Sequence, residues 1–149
     1  MTLYLLCGIP ASGKSSYAAQ VDGVWVSRDK IRFSLIRQDE EYFSHEKEVF
    51  NEFVRQIDKG LSSDGVVYAD ATHLNEKSRN KLLNRLNLNG VDIVVINFKT
   101  PLETCLERNS KRVGKERVPE DVMYKMARSF KPATFYEKYR YKDIITKED

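Results

Sequence analysis

Short apolar runs alternate along this chain with longer stretches whose apolar residues return every three or four positions. The runs are Leu3–Cys7, Val24–Val26, Val66–Ala69 and Val91–Phe98. Continuous and bounded by turn residues, they predict strands buried on both faces, as parallel strands are. Between them the spacing predicts helices over Lys14 to about Gln20, over Lys30–Arg37 with Ile31, Leu35 and Ile36, and over Glu46 to about Leu61 with Val49, Phe50, Phe53, Val54 and Ile57. Further helices are expected over Glu76–Leu88, Pro101 to about Lys111, and Pro119–Phe130. Pro101 suits a helix start, where its missing N–H costs nothing, and Glu120 and Asp121 favour the first turn of the last helix. Val21–Gly23, Ser62–Gly65 and Asn89–Gly90 read as turns. Val113–Val118 reads as a charged loop, Tyr136–Tyr141 as a short basic-aromatic segment, and Ile144-Ile145 as an edge strand. The alternation implies an α/β fold, a central parallel sheet of about five strands flanked by helices on both faces. There is no internal repeat, low-complexity tract or linker, so residues 1–149 read as one domain.

Composition changes this picture little. Hydrophobic residues make up 41% and charged residues 32% of the chain, ordinary for a globular protein. No apolar run approaches the ~18 residues of a membrane span. The N-terminus lacks the basic region and cleavage site of a signal peptide, so no membrane partner is expected. Cys7 and Cys105 are isolated in apolar surroundings, which predicts buried thiols in a reducing compartment and not a disulfide or zinc site. The net charge is +3, yet from Arg108 to Lys142 eleven Lys/Arg stand against four Asp/Glu. Such a block suits a polyanionic partner, and equally well a set of solvated helix faces.

The chemistry begins at Gly8-Ile9-Pro10-Ala11-Ser12-Gly13-Lys14-Ser15, between the first strand and the helix-forming Ser16-Tyr17-Ala18-Ala19. In strand–turn–helix context G-x-x-x-x-G-K-[ST] is a phosphate-binding loop. Gly8 and Gly13 let the backbone turn and approach an anion. The loop N–H groups and the helix start direct positive charge at phosphate oxygens. Lys14 is placed to reach the β- and γ-phosphates and Ser15 to hold Mg²⁺. A nucleoside triphosphate is the expected ligand.

Phosphoryl transfer further requires a group to orient the nucleophile and cationic charge on the transferring phosphoryl. Asp29 follows the second strand, beyond the carboxyl end where α/β sheets bind ligands; it is a candidate base, or else the N-cap of the next helix. Arg32, one turn on, falls on the same side and suits an acceptor phosphate or a carboxylate partner. Asp70 ends the third strand, where a carboxylate can hold Mg²⁺ or cap a turn. His73 has no second ligand at metal spacing and is a possible substrate contact only; His45 carries no signal. Arg108 and Arg112, with Lys111 between them, lead into a glycine-containing loop. They read as a short basic lid with a cis arginine or as cations stabilising a helix C-terminus.

These motifs together resemble the 5′-kinase domain of bacteriophage-type polynucleotide kinases, within the group of small P-loop kinases that includes zeta-toxin-like enzymes. The similarity is carried by Gly8–Ser15 with Ser16-Tyr17-Ala18, by Arg28-Asp29-Lys30-Ile31-Arg32, and by Asp70-Ala71-Thr72-His73-Leu74-Asn75. Arg108-Asn109-Ser110-Lys111-Arg112, Val118-Pro119-Glu120-Asp121-Val122 and Met126 extend it to the lid and the following helix. The resemblance implies a P-loop kinase fold and ATP as donor with Mg²⁺ as cofactor. It implies an ATP site of Gly8 to Ser16 (Ile9, Pro10, Ala11, Ser12, Gly13, Lys14 and Ser15 included) with Arg108 and Arg112. Asp29 would then be the general base, assisted by Lys14 and Arg112. Arg32, Asp70, Thr72 and His73 would contact the acceptor, and Ser15 and Asp70 the metal. It further implies 5′-hydroxyl ends of DNA or RNA as acceptor and a cytoplasmic place in a bacterial or phage-infected cell. The chain lacks the length and the Asp-x-Asp-Gly motif of the 3′-phosphatase domain that accompanies the best-known relatives, and the likeness fades after about Phe130. A kinase of a small molecule such as a nucleoside or nucleotide sugar is the alternative on the same scaffold. A non-catalytic nucleotide switch fits poorly beside Asp29 and Arg32.

Overall fold

A computed structural model describes residues 1–148. In chain order it contains β1 (Thr2–Cys7), α1 (Lys14–Ala18), β2 (Val24–Ser27), α2 (Arg28–Leu35), α3 (Glu46–Ser63), β3 (Val66–Asp70), α4 (Glu76–Leu83), β4 (Asp92–Phe98), α5 (Leu102–Ser110), α6 (Glu120–Ser129) and β5 (Asp143–Lys147). The strands form one sheet in the order β2-β3-β1-β4-β5, every pairing parallel. The chain steps to one side of β1 for β2 and β3 and to the other for β4 and β5. The crevice where strand order reverses therefore opens at the carboxyl end of β1, where the glycine-rich loop begins.

Side chains alternate across β1 as strand geometry requires. Leu3, Leu5 and Cys7 join the larger core cluster with Phe53 and Ile57 of α3 and Leu82 and Leu83 of α4. Leu6 faces the other way, into a cluster with Ala18, Tyr68, Ile96 and Phe98, against which Tyr4 and Tyr17 pack. There Tyr4 stacks on Tyr68 with ring centroids 4.5 Å apart. A third cluster of Ile9, Ala11, Cys105, Val118 and Met123 seats α5 and α6 against the loop. Both cysteines are buried. No helix among the described residues is long and apolar enough to cross a membrane.

Several expected boundaries move, α1 ending at Ala18 and α2 at Leu35, and three of the shifts have a local explanation. α2 begins at Arg28 because Ser27 is its N-cap: the Ser27 hydroxyl accepts from the Lys30 N–H at 3.2 Å. Asp29 is therefore inside the first turn, and its expected alternative role as cap is corrected. α4 stops at Leu83 where Leu88 was expected, because Asn84, Asn87 and Asn89 are weak helix formers. The Arg85 and Leu86 N–H groups tighten onto carbonyls three residues back, and the Asn87 N–H turns to Asp58 Oδ1. Leu86 and Leu88 still pack on the core. α3 runs through Gly60 to Ser63 because Gly60 lies where a Cβ would stand 2.7 Å from Val67 Cγ2, so helix and sheet close tightly there.

Candidate active site

The loop after β1 is held from several sides. Gly13 takes a φ of 104° and caps α1, a backbone conformation that disfavours other residues. At Gly8 a Cβ would meet Ser12 Oγ at 2.6 Å and Phe98 Cβ at 3.0 Å, so the close approach to β4 requires glycine. The Gly8 N–H donates to the Thr72 carbonyl at 3.0 Å, and Thr100 Oγ1 donates to the Ser12 carbonyl at 2.7 Å. Arg108 Nη1 donates to the Ala11 carbonyl at 3.2 Å, tying α5 to the loop. Ile9 turns inward and serves the core beneath.

Lys14 is buried, with Nζ donating to the carbonyls of Gly8 and Ile9, both at 2.8 Å, and to Ser12 Oγ at 3.3 Å. Burial pushes its pKa below the ordinary lysine value, and the Asp70 and Asp29 carboxylates oppose this. Ser15 Oγ donates to Asp70 Oδ2 at 2.9 Å, and Trp25 Nε1 reaches the same oxygen at 3.0 Å. A hydroxyl and a carboxylate oxygen are hard donors that fit Mg²⁺, which ordinarily completes its shell with phosphate and water oxygens. No group of three or more His, Cys, Asp or Glu side chains suited to a metal occurs among the described residues.

Asp29 stands beside these groups, half exposed, with Oδ1 accepting from Arg32 Nη1 at 2.5 Å and from the Tyr42 hydroxyl at 2.9 Å. Arg32 is almost wholly buried and fully engaged: Nε and Nη2 form a fork on Glu46 at 2.8 and 2.7 Å, and Nη1 also meets the Tyr42 oxygen at 3.1 Å. Of the two roles open to Arg32, pairing with carboxylates is the one the structure displays. Burial and the nearby Asp29 raise the Tyr42 pKa, so its phenol stays protonated and donates. Sequence reading missed Tyr42 and Glu46, because nothing in the spacing links Arg32 to a carboxylate fourteen residues on.

Two cavities meet at Asp29. The larger, of about 840 Å³, is lined by loop residues Pro10 to Ser16, by Tyr17, Gln20, Thr100, Arg108 and Arg112, and by Thr146 and Lys147 of β5. The smaller, of about 190 Å³, is lined by Arg28, Arg32, Tyr42, Phe43, Glu46, Ala71, Thr72 and Met126. Pro10, Lys14, Asp29 and Asp70 line both. Arg108 and Arg112 thus line the larger cavity together with the loop, and Arg112 also donates to the Glu116 carbonyl at 3.4 Å. His73 corrects its expected role as an acceptor contact. It is buried against Phe53, with Nε2 on the Ala69 carbonyl at 3.2 Å, and lines neither cavity.

A family described as an AAA domain matches residues 3–133. The chain belongs to this family. An L-seryl-tRNA(Sec) kinase of Methanococcus maripaludis is 28% identical over 149 residues, covering 90% of this chain and 54% of that protein. The chain thus spans about half the length of that relative. A chain in the Pnkp1/Rnl/Hen1 RNA repair complex superposes with a TM-score of 0.71 at 23% identity, over 86% of this chain and 43% of that one. Kti12 of Chaetomium thermophilum, solved with ADP-AlF3, superposes with a TM-score of 0.68 at 13% identity, over 98% and 88% of the two chains. The fold is that of the P-loop kinases, a five-stranded parallel sheet flanked by helices with a nucleotide-type loop after β1.

Proposed function

We propose that this protein transfers the γ-phosphate of ATP to the 5′-hydroxyl of a polynucleotide, DNA or RNA. The observation that carries the reading is the junction of the two cavities at Lys14, Asp29 and Asp70. The larger cavity takes the donor and the smaller one the acceptor, so donor phosphate and acceptor hydroxyl meet beside one carboxylate. Arg32 and Tyr42 occupy Asp29 Oδ1, while Oδ2 has no partner among the described residues. In the reaction the acceptor oxygen attacks the γ-phosphorus, the bond from that phosphorus to the β,γ-bridging oxygen breaks, and ADP leaves. The hydroxyl proton passes to Asp29 Oδ2, and general-base assistance of this kind contributes roughly 10²–10⁴ in rate. Lys14, Arg108 and Arg112 supply positive charge to the transferring phosphoryl group; an arginine so placed is worth about 10³–10⁵. Ser15 and Asp70 are the residues that would hold Mg²⁺, whose charge offsets that of the β- and γ-phosphates.

The polynucleotide acceptor is supported by the excess of positive charge from Arg108 to Lys142. Two of the similar proteins bear names that join kinase or repair chemistry to RNA. The test is incubation with γ-labelled ATP and Mg²⁺ against 5′-hydroxyl oligonucleotides, nucleosides and sugars. Label is expected on the 5′ end of the oligonucleotides. Equal efficiency on a bare nucleoside or a sugar would replace this reading with that of a small-molecule kinase.

A further inference from the structure

Beyond α6 the chain makes a turn that carries two consecutive large rings on the surface, Phe135 62% and Tyr136 98% exposed. The turn is fixed from below. Glu137, the next residue, forms an ion pair with Arg79 at 2.7 Å in which the two side chains are 6% and 1% exposed. Its Oε2 also accepts from the Thr134 N–H at 3.1 Å. Ala133 is pinned by Asn97, whose side-chain amide both donates to its carbonyl and accepts from its N–H. The rings therefore stand on a rigid base, and little conformational entropy is left to lose when something stacks on them.

The side chains of Lys131, Lys138 and Arg140 are exposed around this turn and form no ion pair among the described residues, although the Lys138 backbone N–H donates to Glu76 Oε2 at 3.0 Å and its Nζ lies 5.6 Å from the Tyr139 ring centroid. Lys47, Lys59, Lys77 and Lys99 are likewise exposed without an ion pair among the described residues, so what distinguishes this turn is the pairing of such cations with two exposed rings. The patch is tied through the backbone to segments that line the acceptor cavity. The Lys131 N–H donates to the Leu74 carbonyl at 2.7 Å, two residues beyond Thr72 of that cavity, and Met126 of the same cavity lies on the helix leading to Lys131.

Exposed aromatic faces interleaved with unpaired cations match single-stranded nucleic acid, whose bases stack while its phosphates take the charge. A stable protein interface needs a broad apolar centre, and two rings encircled by cations do not provide one. We propose that Phe135 and Tyr136, with Lys131, Lys138 and Arg140, form the docking site for the single strand downstream of the 5′ end being phosphorylated. The proposal rests on the polynucleotide reading above.

The experiment measures KM and kcat for 5′-hydroxyl acceptors of rising length: a nucleoside 3′-phosphate, a dinucleotide and a single-stranded 12-mer. In the wild-type protein KM should fall with length. In F135A/Y136A the 12-mer KM should rise about tenfold to hundredfold, with kcat and the nucleoside 3′-phosphate unaffected, and F135W/Y136W should keep the wild-type value. K131Q/K138Q/R140Q should flatten the salt dependence of the 12-mer KM, since each lost phosphate contact releases fewer counterions. An unchanged 12-mer KM in F135A/Y136A together with an unchanged salt slope overturns the inference. So does a wild-type protein that phosphorylates the short acceptor without any gain from length, an outcome that leaves the polynucleotide reading standing. Failure to phosphorylate any 5′-hydroxyl nucleic acid removes that reading and this inference together. A dimer dissociated by F135A/Y136A, with the 12-mer KM unmoved, would assign the patch to a second copy of the chain and overturn the inference.

Discussion

Asp29 is where the chemistry and the architecture are most easily confused, and the structure separates them. Ser27 caps α2, so the Asp29 carboxylate is not needed to start the helix. Asp29→Asn keeps an oxygen for Arg32 and Tyr42 but cannot take a proton. Its turnover should fall by roughly 10²–10⁴, with ATP affinity and melting temperature close to wild type. A variant that unfolds readily yet turns over normally per folded molecule would make Asp29 structural. His73 yields a prediction of a different kind. Burial lowers its pKa from the ordinary 6.5 to about 3, so the folded protein keeps this ring neutral where the unfolded chain protonates it. Between those values the unfolded state binds more protons, and stability falls as pH drops below about 6.5. His45, bonded to Glu40 and Glu48, has a raised pKa and contributes with the opposite sign, losing its stabilisation as pH rises. His73→Asn isolates the first effect, because His45 is common to both proteins and Asn tolerates the φ of 43° found there. Urea unfolding at pH 7 and pH 5 should show a smaller acid loss in the variant; equal losses would locate the effect elsewhere.

Secondary structure elements were legible where a single signal sufficed. The strands β1 to β4 follow from continuous apolar runs, and α3 from five apolar residues at helical spacing, because both patterns report burial directly. The end of α4 is misplaced by the sequence pattern, because Leu86 and Leu88 continue the apolar spacing and mask the weak helix propensity of Asn84, Asn87 and Asn89. The capture of the Asn87 N–H by Asp58 on α3 is a contact no local pattern shows. Gly60 lies within α3, where glycine is a weak helix former, yet it is where α3 touches the sheet. Gly60→Ala would raise intrinsic helix propensity by about 1 kcal/mol. The new methyl would stand 2.7 Å from Val67 Cγ2 and 3.2 Å from Val24 Cγ1. Val67 is fully buried and β-branched, so its χ1 is restricted. Overpacking of this kind costs about 1–3 kcal/mol, so the variant should be less stable in urea despite the propensity gain. A stabilised variant would mean that α3 shifts freely over β2 and β3.

At the scale of the whole molecule, the sheet order and the junction of two cavities depend on partners far apart in sequence. Asp70 meets Ser15 across fifty-five residues and Trp25 across forty-five. The loop motif offers Ser15 for Mg²⁺ and the end of the third strand offers Asp70, but nothing in their spacing brings the two side chains together. The pair least visible in sequence is Arg79 with Glu137, fifty-eight residues apart, which ties the segment after α6 to the start of α4. Arg79 Nη1 also donates to the His73 carbonyl at 2.8 Å, and the Tyr141 hydroxyl donates to Glu137 Oε1 at 2.9 Å, so one buried network holds the C-terminal segment against the main core. Glu137→Gln leaves a buried guanidinium without its counter-charge, a loss of about 3–5 kcal/mol. For a domain of this size each kcal/mol lowers Tm by about 2–4 °C. Arg79→Met strands the Glu137 carboxylate in the same way. The double variant removes both charges, so its loss should be smaller than the two single losses added. The double-mutant cycle should return a coupling energy near the upper end of the ~0.5–3 kcal/mol found for contacting residues. A coupling near zero would mean that the ion pair does not hold the segment after α6 against α4. The network would then be a by-product of the fold, and the turn bearing Phe135 and Tyr136 would lack the rigid support on which its docking role depends.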